Sequence, residues 1–180
     1  MASARTEIDD ETAAWIAAQH VFFVATAPSG AEGHVNCSPK GGDTLRVLGP
    51  TQVAYVDYTG SGVETIAHLR DNGRICVMLC AFDGPPRILR LHGAGEVVRP
   101  DDERFAALLE RFGIGPLGVR AILVVEVSRV AKSCGYGVPR MAFEQDRREL
   151  TEWGEKKGPE GVAKYWRDKN AESIDGLPGV

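Results

Sequence analysis

The sequence predicts an antiparallel β protein with helices at its periphery. Three observations lead there: seven short apolar runs rich in β-formers, connections without regular strand-helix alternation, and glycines gathered between those runs. Glycine supplies 21 of the 180 residues, well above the ~7% of ordinary proteins. Two of them, Gly93 and Gly95, fall inside a long apolar run, where a bulge, a bend or a close backbone approach is expected, as in a coiled, barrel-like sheet.

Asp9 and Asp10 before TAAWIAAQH open a first helix over 10–19, because carboxylates suit the positive end of a helix. VFFVATA (21–27) is a strand closed by Pro28, Ser29 and Gly30, and a second strand near 34–37 completes a hairpin. TLRVL (44–48) and QVAYVDY (52–58) follow, turning at Gly49-Pro50. In GVETIAHLRDNG, the spacing of Val63, Ile66, Ala67 and Leu69 predicts a short crossover helix that Gly73 stops. RICVMLC (74–80), RILRLHGAGEVV (87–98) and AILVVEVSRV (121–130) are the remaining strands. The helix PDDERFAALLERFG lies before the last of them, with Pro100 and Asp101 at its start. Beyond Val130 the chain turns at CGYGVP and becomes charged. Leu150, Trp153, Val162, Tyr165 and Trp166 are sparse apolar anchors for two amphipathic helices that must pack on the barrel or on a second subunit.

The length fits one domain with an appendage, and 43% hydrophobic with 26% charged residues fits a soluble globular chain. A net charge of -4 and a pI near 5.6 argue against nucleic acid, which needs a cationic face. The polar, acidic first twenty residues do not read as a secretory leader, and no apolar run approaches the ~20 residues of a membrane span, so a cytoplasmic protein without membrane partners is expected. Cys37, Cys76, Cys80 and Cys134 form no CxxC pair and are expected as buried reduced thiols. His20, His34, His68 and His92 have no metal-ligand spacing, and no metal is expected.

Two segments carry chemistry. VNCSPKGGD offers a hydroxyl, the Lys40 ammonium and free amides around Gly41 and Gly42, a workable donor set for an anion. DYTGSGVET places Thr59, Gly60, Ser61 and Gly62 just before a helix start, where amides and the helix dipole favour phosphate. Ordinary turns have the same composition. Neither segment is a P-loop, and no GxSxG elbow is present. Arg87 and Arg90 stand at an odd spacing in RILRLHG, so they point to opposite faces, with His92 on the face of Arg90. CGYGVP displays a thiol and a phenol on a rigid corner, either structural or catalytic.

The order VFFVATA, HVNCSPKGG, LRVLGPTQVAYVDYTGSG, NGRICVMLC, RILRLHGAGEVV resembles the pyridoxamine 5'-phosphate oxidase-like family of flavin-binding split β-barrels, and SCGYGVP with a helical tail and SIDGLP looks like one branch of it. The resemblance implies a six-stranded Greek-key split barrel over residues 1–132, a helical extension over 133–180, and a homodimer with FMN in clefts at the subunit interface. It implies cofactor contacts from Asn36, Cys37, Ser38 and Lys40, from Thr59, Ser61 and Gly62, and from Arg87 and Arg90. The implied function is an FMN-dependent oxidoreductase acting on a small organic substrate, with NADH or NADPH as a candidate electron donor. A deazaflavin cofactor and a non-catalytic flavin-storage dimer are the alternatives. Where true oxidases carry an Arg-Lys pair this chain has Ser61-Gly62-Val63, and their substrate-phosphate motif has no counterpart here, which points away from pyridoxal phosphate synthesis.

Overall fold

A computed structural model describes residues 5–180. Its elements in chain order are α1 (Asp10–Ala17), β1 (Phe22–Thr26), β2 (Asn36–Lys40), β3 (Leu45–Gly49), β4 (Gln52–Tyr58), α2 (Glu64–Asn72), β5 (Arg74–Cys80), β6 (Ile88–Val98), α3 (Phe105–Glu110), β7 (Val119–Ser133) and α4 (Glu149–Lys169). The strands form one antiparallel sheet in the order β2-β1-β5-β6-β7-β4-β3. Its central part, β5-β6-β7-β4, has a Greek-key order. The residues thus give seven strands, one more than the six the resemblance implies, because the edge hairpins β1-β2 and β3-β4 are both fully paired.

The sheet coils. Phe22 on β1 meets Tyr55 on β4 edge to face at 5.5 Å, although three strands separate them within the sheet. Alternation along each strand fills the enclosed interior with Val24, Val53, Tyr55, Val77, Leu79, Leu89, Leu91, Leu123 and Val125, all essentially inaccessible. A second cluster lies on the outer face, where α3 brings Phe105 and Leu109 against Ala54, Val56, Ile122 and Val124. Helix α2 packs on β6 and β1 through Ile66, Ala67 and Leu69.

Several boundaries move for identifiable reasons. Asp9 caps α1 by accepting from the Thr12 amide at 2.8 Å, and the helix stops at Ala17, two residues short of expectation. β2 begins at Asn36 rather than His34 and runs through Pro39 to Lys40, which is tolerated because β2 is an edge strand. Pro100 to Arg104 form turns instead of a first helical turn, with the Asp102 carboxylate accepting from the Arg104 amide, so α3 starts at Phe105. The charged tail carries its two helical arms within α4, broken at Gly158 (φ 64°) before Pro159. Among the cysteines, Cys37 and Cys134 are exposed, not buried: Cys37 occupies the outward face of an edge strand and Cys134 lies past the end of β7.

The glycines of β6 do what their placement predicts. The β6-β7 register shifts between His92 and Gly93, and a side chain at Gly93 would drive into the Glu126 carbonyl. Gly73 ends α2 in the left-handed conformation, φ 71°.

Candidate functional site

A cavity of about 190 Å³ opens where the end of β2, the end of β4 and the start of α2 converge. Its lining is Ser38, Lys40, Asp57, Tyr58, Gly60, Ser61, Gly62, Glu64, Thr65 and Arg120. The two donor-rich segments read from the sequence therefore meet. Strand alternation explains the contribution of β2: Asn36, Ser38 and Lys40 lie on the half-buried face, while Cys37 and Pro39 face outward.

At the cavity floor three charges form one cluster. Lys40 Nζ donates to Asp57 Oδ1 at 2.9 Å, and Arg120 Nε donates to Asp57 Oδ2 at 2.9 Å. Arg120 also donates through Nη1 to the Gly62 carbonyl at 2.8 Å, tying β7 to the loop before α2. Burial pushes the Asp57 carboxyl up, but the attraction and hydrogen bonds of Lys40 and Arg120 outweigh it and hold it below the usual carboxylate range. The wall beside β2 is a second network. Asn36 Nδ2 donates to Thr65 Oγ1 at 3.0 Å and to Thr26 Oγ1 at 3.3 Å, and Ser38 Oγ donates to Asn36 Oδ1 at 2.9 Å. Thr26 Oγ1 in turn lies 3.0 Å from Nδ1 of the fully buried His68. The Tyr55 hydroxyl, close to Thr65, finds no partner with hydrogen-bonding geometry among the described residues.

Lys40, Ser38, Ser61 and Gly62 line the cavity, and Asn36 stands directly behind it. Thr59 does not line it: its hydroxyl donates to the Gly118 carbonyl at 2.9 Å and accepts from Trp166 Nε1 at 2.8 Å. Arg87 lies before β6, its guanidinium 5.1 Å from the Trp15 ring and 3.0 Å from Glu11. Arg90 reaches Ser133 Oγ at 3.2 Å on the outer face of the sheet. Neither arginine reaches the cavity within this chain. Burial raises the Cys76 and Cys80 thiols, which are then poor nucleophiles. No group of side chains suited to a metal occurs among the described residues.

Asp57 and Arg120 are absent from the sequence reading. For Asp57 a signal exists: in QVAYVDY it alternates with Val53 and Tyr55, which places a carboxylate on the inward face, where it must be paired. For Arg120 alternation misleads. β4 and β7 pair Asp57 with Ala121 and Tyr58 with Val119, so Arg120 is the extra residue of a bulge, which turns its side chain inward.

The donor set fits the phosphate end of a flavin nucleotide: two cations, a Ser-Gly loop, and helix α2, whose first amides have no side-chain cap. The enclosed volume is below the ~300–1,000 Å³ of sites that engulf a whole ligand, so this chain alone surrounds one end of such a molecule.

Residues 8–134 match the family model described as pyridoxamine 5'-phosphate oxidase. A protein of Aspergillus flavus, pyridoxamine 5'-phosphate oxidase family protein ustO, is 40% identical over 189 aligned positions spanning 96% of this chain and 76% of that one. Among solved structures, HupZ of Group A Streptococcus superposes with a TM-score of 0.56 at 21% identity, over 75% of this chain and 99% of its own. An FMN-binding protein of Syntrophomonas wolfei superposes with a TM-score of 0.50 at 15% identity, over 67% and 81%. These structural likenesses concern the fold; the family model and the Aspergillus relative together establish that the chain belongs to the pyridoxamine 5'-phosphate oxidase family.

Proposed function

We propose that the protein binds FMN with its phosphate in the cavity of Lys40, Ser61, Gly62 and Arg120, and acts as an oxidoreductase on a small organic substrate. The observation that carries this reading is the convergence of those four residues with the uncapped start of α2, in a chain of this family. A relative of the same fold named as an FMN-binding protein supports it. Bound FMN would supply the hydride and electron chemistry, which explains why no acid-base constellation is needed beside it.

The chain's own residues then have binding and orienting roles. Lys40 and Arg120 attract the phosphate while Asp57 holds both in place, and Ser61 with the α2 amides donates hydrogen bonds. Ser38, fixed through Asn36 to Thr65, presents a hydroxyl along β2 for the polar chain or ring. By strand alternation the outer face of β2-β1-β5-β6 carries Phe23, Cys37, Cys76, Met78 and Arg90, none of them fully buried. We assign to that face a second copy of the chain, which would complete the ligand's enclosure and bring in the arginine the cavity here does not reach.

Purified protein should bind FMN and show a perturbed flavin spectrum, and Lys40→Ala with Ser61→Ala should weaken binding by about 2–4 kcal/mol, since charge-assisted bonds contribute ~1.5–3 kcal/mol each. Unchanged affinity in the double variant would move the phosphate elsewhere. Reduction of the bound cofactor by NADH or NADPH, then reoxidation by candidate acceptors, separates an enzyme from a storage protein.

A further inference from the structure

The cavity is formally neutral, because Lys40 and Arg120 are matched by Asp57 and Glu64. The two carboxylates are not equivalent. Asp57 is buried and bonded to both cations, whereas Glu64 lies half-exposed at the first position of α2 and has no ion pair or hydrogen bond among the described residues. Its carboxylate bends back over the preceding loop so closely that a side chain added at Gly62 would overlap Oε2. It therefore lies over the Gly62 turn just ahead of the helix, inside the cavity that Lys40 and Arg120 also line.

We propose that Glu64 is an internal anion standing at the phosphate end of the cavity, and that it sets the preference of the site between phosphorylated ligands and their unphosphorylated forms. The inference rests on the flavin-site reading above and deepens it. A ligand phosphate in the cavity and the Glu64 carboxylate that lines it repel each other, so phosphate enters most easily as Glu64 swings out. The side chain is free to do so, being half-exposed and tethered by no partner. A ligand without phosphate leaves Glu64 in place and incurs no such penalty.

The 180-residue protein and its Glu64→Gln and Glu64→Ala variants should be titrated calorimetrically with FMN, riboflavin and inorganic phosphate in one neutral buffer, with melting curves to confirm folding. Removing the charge should tighten FMN and inorganic phosphate by about tenfold while riboflavin changes by less than about twofold. An equal change for FMN and riboflavin, or no gain for phosphate, would overturn the role of Glu64. If neither flavin binds any of the three proteins while phosphate still gains in the variants, the flavin reading fails and Glu64 keeps its role.

Discussion

With Asp57 only 1% exposed and bonded to both Lys40 and Arg120, each of these three charges depends on the others. Removing the carboxylate leaves an arginine that is 4% exposed and a lysine that is 22% exposed without a counter-charge. Asp57→Asn should therefore destabilise the fold by about 3 kcal/mol, the low end for a broken buried pair because Lys40 retains some water, as read from urea unfolding. The sign of the pH dependence follows from the depressed carboxyl. The stabilisation is complete above the ordinary Asp value of 3.8 and is lost as pH falls through the lower folded value. The gap between the wild type and Asp57→Asn should stay constant above about 3.8, shrink as pH falls from there and level off below the lower folded value; a gap that closes near neutrality would assign the effect to another group. At this scale Lys40, Ser61 and Gly62 were legible because donors clustered in turns stand out in the sequence, and Asp57 was legible in principle from its place among inward-facing apolar residues.

Of the three register shifts in the described sheet, those at His92/Gly93 and at Arg120 differ in how visibly the sequence announces them. That at His92/Gly93 is marked by glycines inside an apolar run, which no ordinary strand favours. The one at Arg120 carries a long side chain and looks like an unbroken continuation of VRAILVVEV, so strict alternation assigns the guanidinium to the wrong face. What Arg87 and Arg90 reach cannot be told by alternation at all. They stand next to strands and resemble family positions, yet within one chain they serve Trp15, Glu11 and Ser133. Gly93→Ala tests the first bulge: its methyl group would meet the Glu126 carbonyl and the Val127 Cα on β7. Since backbone atoms cannot yield as side chains do, the loss should reach about 3 kcal/mol. Gly30→Ala, which meets nothing within 4 Å, should stay within about 0.5 kcal/mol in the same unfolding measurement. Equal effects of the two would show that β6 tolerates a side chain at the bulge.

Across the whole molecule the last fifteen residues return to the cavity from which they are most distant in sequence. Trp166 binds the Thr59 hydroxyl, and Asn170, fully buried, donates through Nδ2 to the carbonyls of Gly60 and Ser61 at 3.1 and 3.3 Å. Arg70 on α2 meets the Gly179 carbonyl, Asp175 meets His34 ahead of β2, and Val180 packs against the main core. That a charged tail with few apolar anchors must lean on the sheet was legible in its composition. Which loop it grips was not, because the grip consists of single hydrogen bonds spanning more than 100 residues, and these leave no periodic trace. The consequence is a coupling between the chain's end and the rigidity of the proposed phosphate loop. Asn170→Ala deprives two loop carbonyls of their donor and should cost about 1–2 kcal/mol. Hydrogen exchange should then quicken at the amides of Gly60 to Gly62 while β4, β6 and β7 keep their protection, since those strands hold their own ladder bonds. Faster exchange spread evenly through the sheet would mean that Asn170 supports the fold at large, and the loop would then owe its order to Arg120 and Gly62 alone.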